Sequence, residues 1–311
     1  MIVTCGEALI DMIPMTGKND QQGFLPLVGG AIFNTAIGLA RLGAETAMLS
    51  GISTDLFGEQ LVEALQESHV NTDLLVRSSS PTTLAFVQLT NGNASYTFYD
   101  ENSAGRSIQL ADITALPDSV ECLYFGGISL ISEPGAEAYC QLAEREANNR
   151  VVMLDPNIRP GFIVDEKAYR SRLKRMITIA DIIKVSDEDL DWLVPGGADV
   201  AEKVLRLRQP ANKLIVVTRG SKSCLAFGPV GVLMAEQPVE KANIVDTVGA
   251  GDTFNSGFLC SFAEQGCMHK ESVADLSVEQ VSQALQYGAK VAAVTVSRAG
   301  ANPPWAWELC K

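Results

Sequence analysis

A glycine-rich turn near the C-terminal end of the chain, Gly249-Ala250-Gly251-Asp252, combines groups that could hold an anion and move a proton. Small residues allow backbone N–H groups to converge on a ligand, and a helix N-terminus adds unpaired N–H groups and a positive dipole end. Phe254, Phe258 and Phe262 recur every four residues behind the turn, which predicts such a helix. The turn therefore predicts an anion site with a carboxylate at its mouth.

Asp252 has two interpretations on local grounds. An aspartate at the start of a helix commonly caps it by accepting a backbone N–H. A carboxylate beside a bound phosphate is repelled by it, so its presence there indicates a function such as accepting a proton. The pattern leaves both interpretations open, and they do not exclude each other.

A second glycine pair, Gly29-Gly30, precedes a predicted helix that ends at Gly43. The buried side of this helix is predicted to carry Ile32, Ala36, Leu39 and Ala40. Asn34 in its first turn can both donate and accept hydrogen bonds. Asp11 stands where the apolar run after the first strand ends, and a simple turn aspartate is the alternative there. A diglycine before a helix is by itself a weak signal of ligand binding.

The rest of the chain alternates between strand-like and helix-like segments. The predicted strands are Ile2–Gly6, Thr46–Ile52, Cys122–Gly126, Val151–Asp155, Asp181–Val185, Lys213–Thr218, Cys224–Phe227 and Val232–Ala235. The predicted helices include Phe57–Ser68, Pro134–Asn149, Glu166–Ile179, a short one around Glu188–Leu193, and Val278–Val294. This alternation predicts one α/β domain over residues 1–311, with a doubly wound, mostly parallel sheet and helices on both faces.

Two stretches do not fit this alternation. Residues 12–28 are rich in turn residues. The runs Thr83–Thr90 and Ser95–Tyr99 flank Asn91-Gly92-Asn93, and an Asn-Gly pair between such runs predicts a β-hairpin. We predict that residues 12–28 and 83–100 form a small β-lid over an edge of the sheet.

Ligands of doubly wound sheets bind beyond the C-terminal ends of the strands. Several polar or small residues follow predicted strands directly and should converge there: Asp11, Asn157, Arg159, Thr218 and the Gly249–Asp252 turn.

Composition excludes several classes of protein. The net charge of −13 argues against a nucleic-acid surface and against binding to an anionic membrane. No apolar run reaches the length of a membrane span, and the N-terminus runs straight into a strand without a signal peptide. The seven cysteines are odd in number and form no Cys-x-x-Cys pair. Cys5, Cys122 and Cys224 lie in apolar strand-like runs, which indicates small core residues in a reducing compartment, so we expect a cytoplasmic protein.

Motifs exclude further classes. The chain has no Gly-x-x-x-x-Gly-Lys-[Ser/Thr] loop, no Gly-x-Gly-x-x-Gly after the first strand, and no His-Arg-Asp or Asp-Phe-Gly. The absence of these motifs argues against a P-loop NTPase, a dinucleotide-binding protein and a protein kinase. His69 and His269 have no ligand partner at zinc spacing, so no structural zinc site is predicted.

The two glycine motifs together resemble a known family. Residues 29–43, with Gly29-Gly30 and Asn34, resemble the N-terminal signature of the ribokinase-like (PfkB) carbohydrate kinases. Residues 246–254 resemble their C-terminal signature, and the two lie about as far apart as in that family. The stretches 155–159 and 184–188 are similar to the fructokinase branch in particular. The resemblance runs from Ile2 to about Pro304, and the family's sheet and β-lid agree with the architecture predicted above.

The resemblance implies ATP-dependent phosphorylation of a sugar hydroxyl, most closely as a fructokinase. Asp252 would act as the general base, and the N–H groups of Gly249, Ala250 and Gly251 would stabilise charge on the γ-phosphate. The implied sugar-binding residues are Asp11, Gly29, Gly30, Asn34 and Arg159. The implied nucleotide-binding residues are Thr218, Gly220, Asn157 and Lys184. For Arg159, an ordinary surface ion pair is the alternative.

The same resemblance implies two kinds of cation. Mg²⁺ would accompany ATP and bridge its phosphates through waters. A monovalent cation such as K⁺ often binds in this family, mainly through backbone carbonyls, here at Asp246, Val248, Thr295, Arg298 and Gly300. The family's Asn-x-x-Glu motif reads Ser186-Asp-Glu-Asp189 here, so either Asp189 or Glu188 would serve the metal. In the family an Asn often contacts the nucleotide, and Gly288 stands at that position here. Pro304 stands where the family can place a side chain that closes the cation site.

Several functions stay open on the sequence. A sister kinase acting on 2-keto-3-deoxygluconate, ribose, tagatose or a nucleoside would use the same catalytic residues, and the lid would choose among them. The lid residues expected to decide are Phe24, Phe86, Gln88, Phe98 and Tyr99. A non-catalytic sugar-binding regulator and a merely structural glycine turn are the remaining alternatives. Homodimers that pair through their lids occur in the family, and an exposed hairpin edge invites such pairing.

Overall fold

The fold is seen in a computed structural model that describes residues 1–90, 93–208 and 213–310. The predicted Asn91-Gly92 turn lies outside the described residues. Within them the chain forms fourteen strands: β1 (Ile2–Cys5), β2 (Leu9–Thr16), β3 (Gln22–Gly29), β4 (Thr46–Leu49), β5 (Gly51–Ser53), β6 (Val76–Ser78), β7 (Leu84–Thr90), β8 (Asn93–Tyr99), β9 (Cys122–Gly126), β10 (Val151–Asp155), β11 (Ile182–Ser186), β12 (Leu214–Thr218), β13 (Ser223–Phe227) and β14 (Leu233–Pro238). The helices of the same residues are α1 (Ala31–Arg41), α2 (Leu56–Glu67), α3 (Ala104–Ser107), α4 (Gly135–Glu146), α5 (Glu166–Ile179), α6 (Asp187–Leu193), α7 (Val200–Leu207), α8 (Ala250–Glu264), α9 (Lys270–Ala274) and α10 (Val278–Val296).

Eight strands form the central sheet in the order β14-β13-β12-β11-β10-β9-β1-β4. The six strands from β12 to β4 in this order are parallel, and β13 pairs antiparallel with both β12 and β14. From β1 the chain moves first to one side, to β4, and later to the other side, to β9. Such a reversal of direction opens a crevice at the C-terminal ends of the strands, where ligands of open α/β sheets bind.

The two faces of the sheet carry separate apolar cores. Successive residues of β9 alternate between them, with Tyr124 in one core and Leu123 and Phe125 in the other. The first core is closed by α1, α2, α8 and α10, and the second by α4, α5, α6 and α7. This arrangement confirms the predicted doubly wound, mostly parallel sheet with helices on both faces.

Helices α1 and α8 are joined by side chain to backbone hydrogen bonds as well as by apolar packing. Thr35 donates its hydroxyl to the carbonyl of Asp252 over 3.2 Å, and Ser256 donates to the carbonyl of Thr35 over 3.1 Å. Phe258, on the predicted apolar face of α8, is fully buried, so truncation to Ala would cost about 3–5 kcal/mol. These contacts fix the first turn of α1 against the first turn of α8.

A second sheet of four strands, in the order β3-β2-β7-β8, lies outside the central one. Strands β2 and β3 form one antiparallel hairpin, β7 and β8 form another, and β2 joins them by pairing in parallel with β7. The turn-rich stretch and the hairpin that interrupt the α/β alternation therefore belong to a single sheet. Among the described residues, no helix is both long enough and apolar enough to cross a bilayer.

The prediction of one strand over Thr46–Ile52 was wrong. The chain breaks at Ser50 into β4 of the central sheet and β5, which pairs with β6 in a separate ribbon. A side chain on Gly51 would come within 2.1 Å of the carbonyl oxygen of Ala104, so α3 packs directly on the β5 backbone. Four short elements were not predicted from the sequence: β6, α3, α7 and α9.

Candidate active site

Two cavities meet at the C-terminal ends of the central strands. The inner cavity, of about 320 Å³, lies between the central sheet and the second sheet. The outer cavity, of about 770 Å³, lies between β12–β14 and the helices α8 and α10. Both cavities are lined by the same five residues where they join: Asn157, Arg159, Lys184, Ala250 and Gly251.

Asp252 lies in the first turn of α8 and faces the inner cavity. Its Oδ2 accepts a hydrogen bond of 2.9 Å from the Nδ2 of Asn34, the residue that α1 presents from its own first turn. Burial raises the pKa of Asp252 to about 7, with a further increase from the Asp155 charge, although the Asn34 bond opposes the rise. The N-cap of α8 is Gly249, so the interpretation of Asp252 as a helix cap was wrong.

Gly249 adopts a left-handed conformation, with φ of 76°, and turns the chain into α8. A Cβ at this position would lie 2.6 Å from the Cβ of Ala301, so both backbone geometry and space require glycine. The N–H of Ala250 reaches the carbonyl of Thr247 only over 3.3 Å. The N–H groups of Gly251 and Asp252 have no acceptor within the part of the chain that the structure describes, so the turn offers free donors to an anion.

A buried polar network lies beneath this turn. Lys184 of β11 donates to the Oδ2 of Asp155 over 2.9 Å, and Asn255 of α8 donates to the same oxygen over 2.7 Å. Burial lowers the pKa of Lys184, but the charges of Asp155, Asp189 and Asp252 outweigh burial and raise it. Lys184 is therefore held as a cation at the junction of the two cavities. The roles of Asp155 and Asn255 in this network were not predicted from the sequence.

Asp11 faces the inner cavity from within β2, not from a turn after a strand as predicted. Burial raises its pKa to about 6. In the second sheet, Asp11 pairs with Ala85 and Ala85 pairs with Phe98, so these residues share one face of the sheet. Gly29 packs against the Asp11 carboxylate, since a Cβ there would come within 2.3 Å of it, and Gly29 does not line the cavity.

The inner cavity has an aromatic wall. Tyr96 and Phe98 of β8 line it together with Phe162, whose ring lies 4.3 Å from that of Phe98, centroid to centroid. Of the lid residues expected to choose the substrate, Phe98 lines the cavity, whereas Phe24, Phe86, Gln88 and Tyr99 are absent from its lining. Strand alternation explains this, because Phe86 and Tyr99 occupy the opposite face from Phe98. Tyr96 was missed because the register of the hairpin was unknown.

Residues 157–159 form a loop after β10 that reaches both cavities. Asn157 adopts a φ of 43°, and the guanidinium of Arg159 donates to the carbonyls of Asn157 and Ile158. Arg159 forms no ion pair with any described residue, which removes the alternative given for it. The loop is held from below by Asp189, whose Oδ1 accepts the N–H of Ile158 over 3.0 Å.

The outer cavity has an apolar wall on one side and polar or charged residues on the others, among them Asp187, Glu188 and Lys241. Its helical wall on α10 consists of Ala289, Ala292, Ala293 and Val296. Thr218 and Gly220, for which nucleotide binding was predicted, also line this cavity. Gly288 is not a lining residue, because it packs against Phe254, and a Cβ there would lie 2.9 Å from the Phe254 carbonyl oxygen.

The residues predicted for a monovalent cation divide into two groups. The Asp246 carboxylate accepts the N–H of Val248 and the N–H of Gly300, so these residues join the turn before α8 to the loop after α10. Thr295 is buried within α10 and donates to the carbonyl of Val291, and Arg298 is paired with Glu308. Asp246, Val248 and Gly300 are therefore well placed to shape the turn before α8. The side chains of Thr295 and Arg298 form contacts elsewhere.

A model described as pfkB family carbohydrate kinase matches residues 1–308 of the chain. The chain belongs to this family, which confirms the resemblance seen in the two glycine motifs. It is therefore an ATP-dependent sugar phosphotransferase.

Proteins similar to this chain carry a more specific name. A fructokinase from Rhizobium leguminosarum bv. trifolii is 48% identical over 288 residues, which cover 93% of this chain and 86% of the relative. The crystal structure of fructokinase with bound ATP from Xylella fastidiosa superposes with a TM-score of 0.85 at 28% identity, over 99% of this chain and 97% of that one. The structure of fructokinase from Vibrio cholerae O395 with fructose, ADP and calcium has a TM-score of 0.79 at 27% identity, over 96% and 94% of the two chains.

Proposed function

We propose that the protein is a fructokinase and that Asp252 is its general base. The observation that carries this proposal is the position of Asp252, a buried carboxylate of the inner cavity that is held by Asn34. It lies next to the free N–H groups of α8 and to Ala250 and Gly251, where the two cavities join. The inner cavity would take the sugar and the outer cavity the nucleotide. The names of the relatives support fructose as the sugar.

The proposed reaction is an in-line phosphoryl transfer. The sugar hydroxyl oxygen forms a bond to the γ-phosphorus of ATP, the bond from that phosphorus to the bridging oxygen breaks, and ADP leaves. Asp252, in its deprotonated form, accepts the hydroxyl proton, and Asn34 holds the carboxylate in orientation. The free N–H groups at the start of α8 and the ammonium of Lys184 stabilise the negative charge on the transferred group.

The carboxylates suited to Mg²⁺ lie on the outer cavity. Glu188 is exposed on its wall, whereas Asp189 already accepts the N–H of Ile158. We therefore propose Glu188, through water, as the residue that serves the metal. Mg²⁺ bound with ATP would neutralise phosphate charge. For K⁺, the candidate site lies between the turn before α8 and the loop after α10, which Asp246 joins. The ion would stabilise the shape of this turn without contacting the sugar.

Charge favours a neutral sugar over an acidic one. The inner cavity is lined by Glu7, Asp11, Asp155 and Asp252 against two cations, Arg159 and Lys184. A carboxylate-bearing substrate such as 2-keto-3-deoxygluconate would meet a surplus of negative charge there. Adenosine is the second candidate worth testing, because the wall of Tyr96, Phe98 and Phe162 could stack on a base.

The test is the initial rate of ADP release with ATP and Mg²⁺ on fructose, tagatose, ribose, 2-keto-3-deoxygluconate and adenosine, with and without K⁺. Fructose is expected to give the highest kcat/KM. Asp252→Asn should lower kcat by about 10³-fold, because it removes the base while keeping the shape. Preferred turnover of another substrate would contradict the assignment of fructose, and an unimpaired Asp252→Asn variant would contradict the assignment of the base.

We further propose that residues 1–311 act as one kinase domain and that the second sheet serves as its lid. A homodimer through the outer edge of that sheet and a cytoplasmic location belong to the same proposal. Six of the seven cysteines are buried as free thiols, which supports a reducing compartment. Sedimentation that shows only monomer at micromolar concentration would contradict the dimer.

A further inference from the structure

Glu7 is a buried carboxylate in the floor of the inner cavity that neither motif contains. It is only 8% exposed, and it forms no ion pair with any residue the structure describes. A charged group without a counter-ion in such a place must be stabilised by hydrogen bonds or it would be costly to bury. Burial raises its pKa, and the hydrogen bonds that it accepts oppose this rise.

Those hydrogen bonds come from two separate segments. The Oε1 of Glu7 accepts the N–H of Ala31, the first residue of α1, over 3.2 Å. The Oε2 accepts the N–H of Ser129 over 3.2 Å, in the short 3-10 helix Gly127–Leu130 that follows β9. Both segments line the inner cavity, through Gly30 and Ala31 on one side and Gly127 and Ile128 on the other.

The backbone around Glu7 is shaped to fit its side chain. A Cβ at Gly127, where φ is 65°, would lie 2.1 Å from the Oε1 of Glu7. A Cβ at Gly30, where φ is 108°, would lie 3.0 Å from the Glu7 carbonyl oxygen and 3.2 Å from its Cγ. Glycine at positions 30 and 127 therefore leaves room for Glu7 on both sides. Glu7 fills this room and sets the spacing between the two segments.

We propose that Glu7 is a positioning residue for the sugar, because it clamps the start of α1 to the segment after β9. This inference rests on the proposed function of the inner cavity. The clamp sets the width of the cavity floor and the orientation of the first turn of α1, which carries Asn34. Since Glu7 lines the inner cavity and not the outer one, the clamp acts on the sugar and not on the nucleotide.

The test compares Glu7→Gln with Glu45→Gln, an exposed glutamate remote from both cavities. A glutamine has one acceptor oxygen, so one of the two N–H groups would face an NH₂ group. We expect the sugar KM of Glu7→Gln to rise about tenfold, as the loss of a charge-assisted hydrogen bond would give, with the ATP KM within about twofold. Glu45→Gln should match the unaltered chain in both constants.

Two results would overturn the proposal. One is a lowered Tm with an unchanged sugar KM, which would make Glu7 structural only. The other is an equal rise in the KM values of sugar and ATP, which would mean general damage. If Glu7→Gln fails to fold, Glu7→Asp is measured in the same way, because it keeps the charge but is one methylene too short to span both N–H groups. An unchanged sugar KM in that variant would also overturn the clamp.

The outcome is separable from that of the proposed function. The identity of the sugar is decided by the unaltered chain alone, on the panel of substrates. The effect of Glu7 is a ratio between variants and is measured with whichever sugar the unaltered chain phosphorylates best. Failure on fructose would therefore leave the role of Glu7 open to its own measurement.

Discussion

The inner and outer cavities share a border but are built by different means. The inner cavity is smaller and is lined by four carboxylates, two cations and an aromatic wall. The outer cavity has more than twice the volume, and its helical wall is made of alanines and a valine. The inner cavity surrounds its ligand space with charged and aromatic groups, whereas the outer cavity combines charged residues with a broad apolar wall on α10.

The difference indicates where discrimination and chemistry reside. Buried polar groups reject a substrate that leaves them unpaired, so a polar cavity can distinguish closely related hydroxyl patterns. An apolar wall discriminates weakly, because a methylene more or less changes binding by only about 1–3 kcal/mol. Substitutions in the inner cavity should therefore act on turnover or sugar affinity, and those on the apolar α10 wall of the outer cavity on nucleotide affinity alone.

The largest effect among the following variants is expected for Gly249→Ala. The added Cβ would collide with Ala301 and disturb the free N–H groups of α8, so kcat should fall by about 10²-fold. Gly266, which follows the other end of α8, is the matched control, since its φ is 66° and a Cβ there meets nothing within 4 Å. Gly266→Ala should keep kcat and lose about 1–2 kcal/mol of stability. Equal kcat values in the two variants would contradict the anion-binding role of the turn.

The pH dependence should locate the chemistry in the inner cavity. Burial raises the pKa of Asp252 to about 7, and the base works only when deprotonated. The kcat/KM for the sugar should therefore fall about tenfold for each unit of pH below about 7 and level off above it, since this constant reports the free enzyme. Asp11, with a pKa raised to about 6, should steepen the fall at lower pH. A profile that is flat from pH 5 to 8 would contradict Asp252 as the base.

The smallest effect is expected for Ala292→Leu in the outer cavity. The larger side chain would occupy space at the α10 wall and raise the ATP KM by about fivefold, with the sugar KM unchanged. Gln286→Leu places the same side chain on an exposed position of α10 and should change neither constant. A rise in the sugar KM of Ala292→Leu would show that the two cavities are not energetically separate.

Much of the fold follows from local pattern. The strands Cys122–Gly126 and Val151–Asp155 and the helix Glu166–Ile179 have the bounds predicted for them, because long apolar runs or strong helical periodicity define them. The split of Thr46–Ile52 could not be predicted, since the cause is the approach of Ala104 from a distant part of the chain. Helix α7, of eight residues, was also missed.

The candidate site was predictable where it is carried by backbone turns. Gly249–Asp252, Gly30 and Asn34 converge on one cavity, and each belongs to a local glycine motif. Glu7, Tyr96 and Asp155 were missed, because their roles depend on partners in other segments or on the register of a hairpin. The role of Asp189 could likewise not be predicted, since only the fold brings its carboxylate within hydrogen-bonding distance of the N–H of Ile158.

The hydrogen bond between Asn34 and Asp252 joins residues that are 218 positions apart in the chain. A ribosome adds about 5–20 residues per second, so roughly 10–40 s separate the synthesis of the two partners. During that interval the residues of the first turn of α1 have been synthesised, but Asp252 and helix α8 have not. Sugar binding therefore cannot assist folding of the emerging chain, and any stabilisation by substrate begins only after the C-terminal turn is in place.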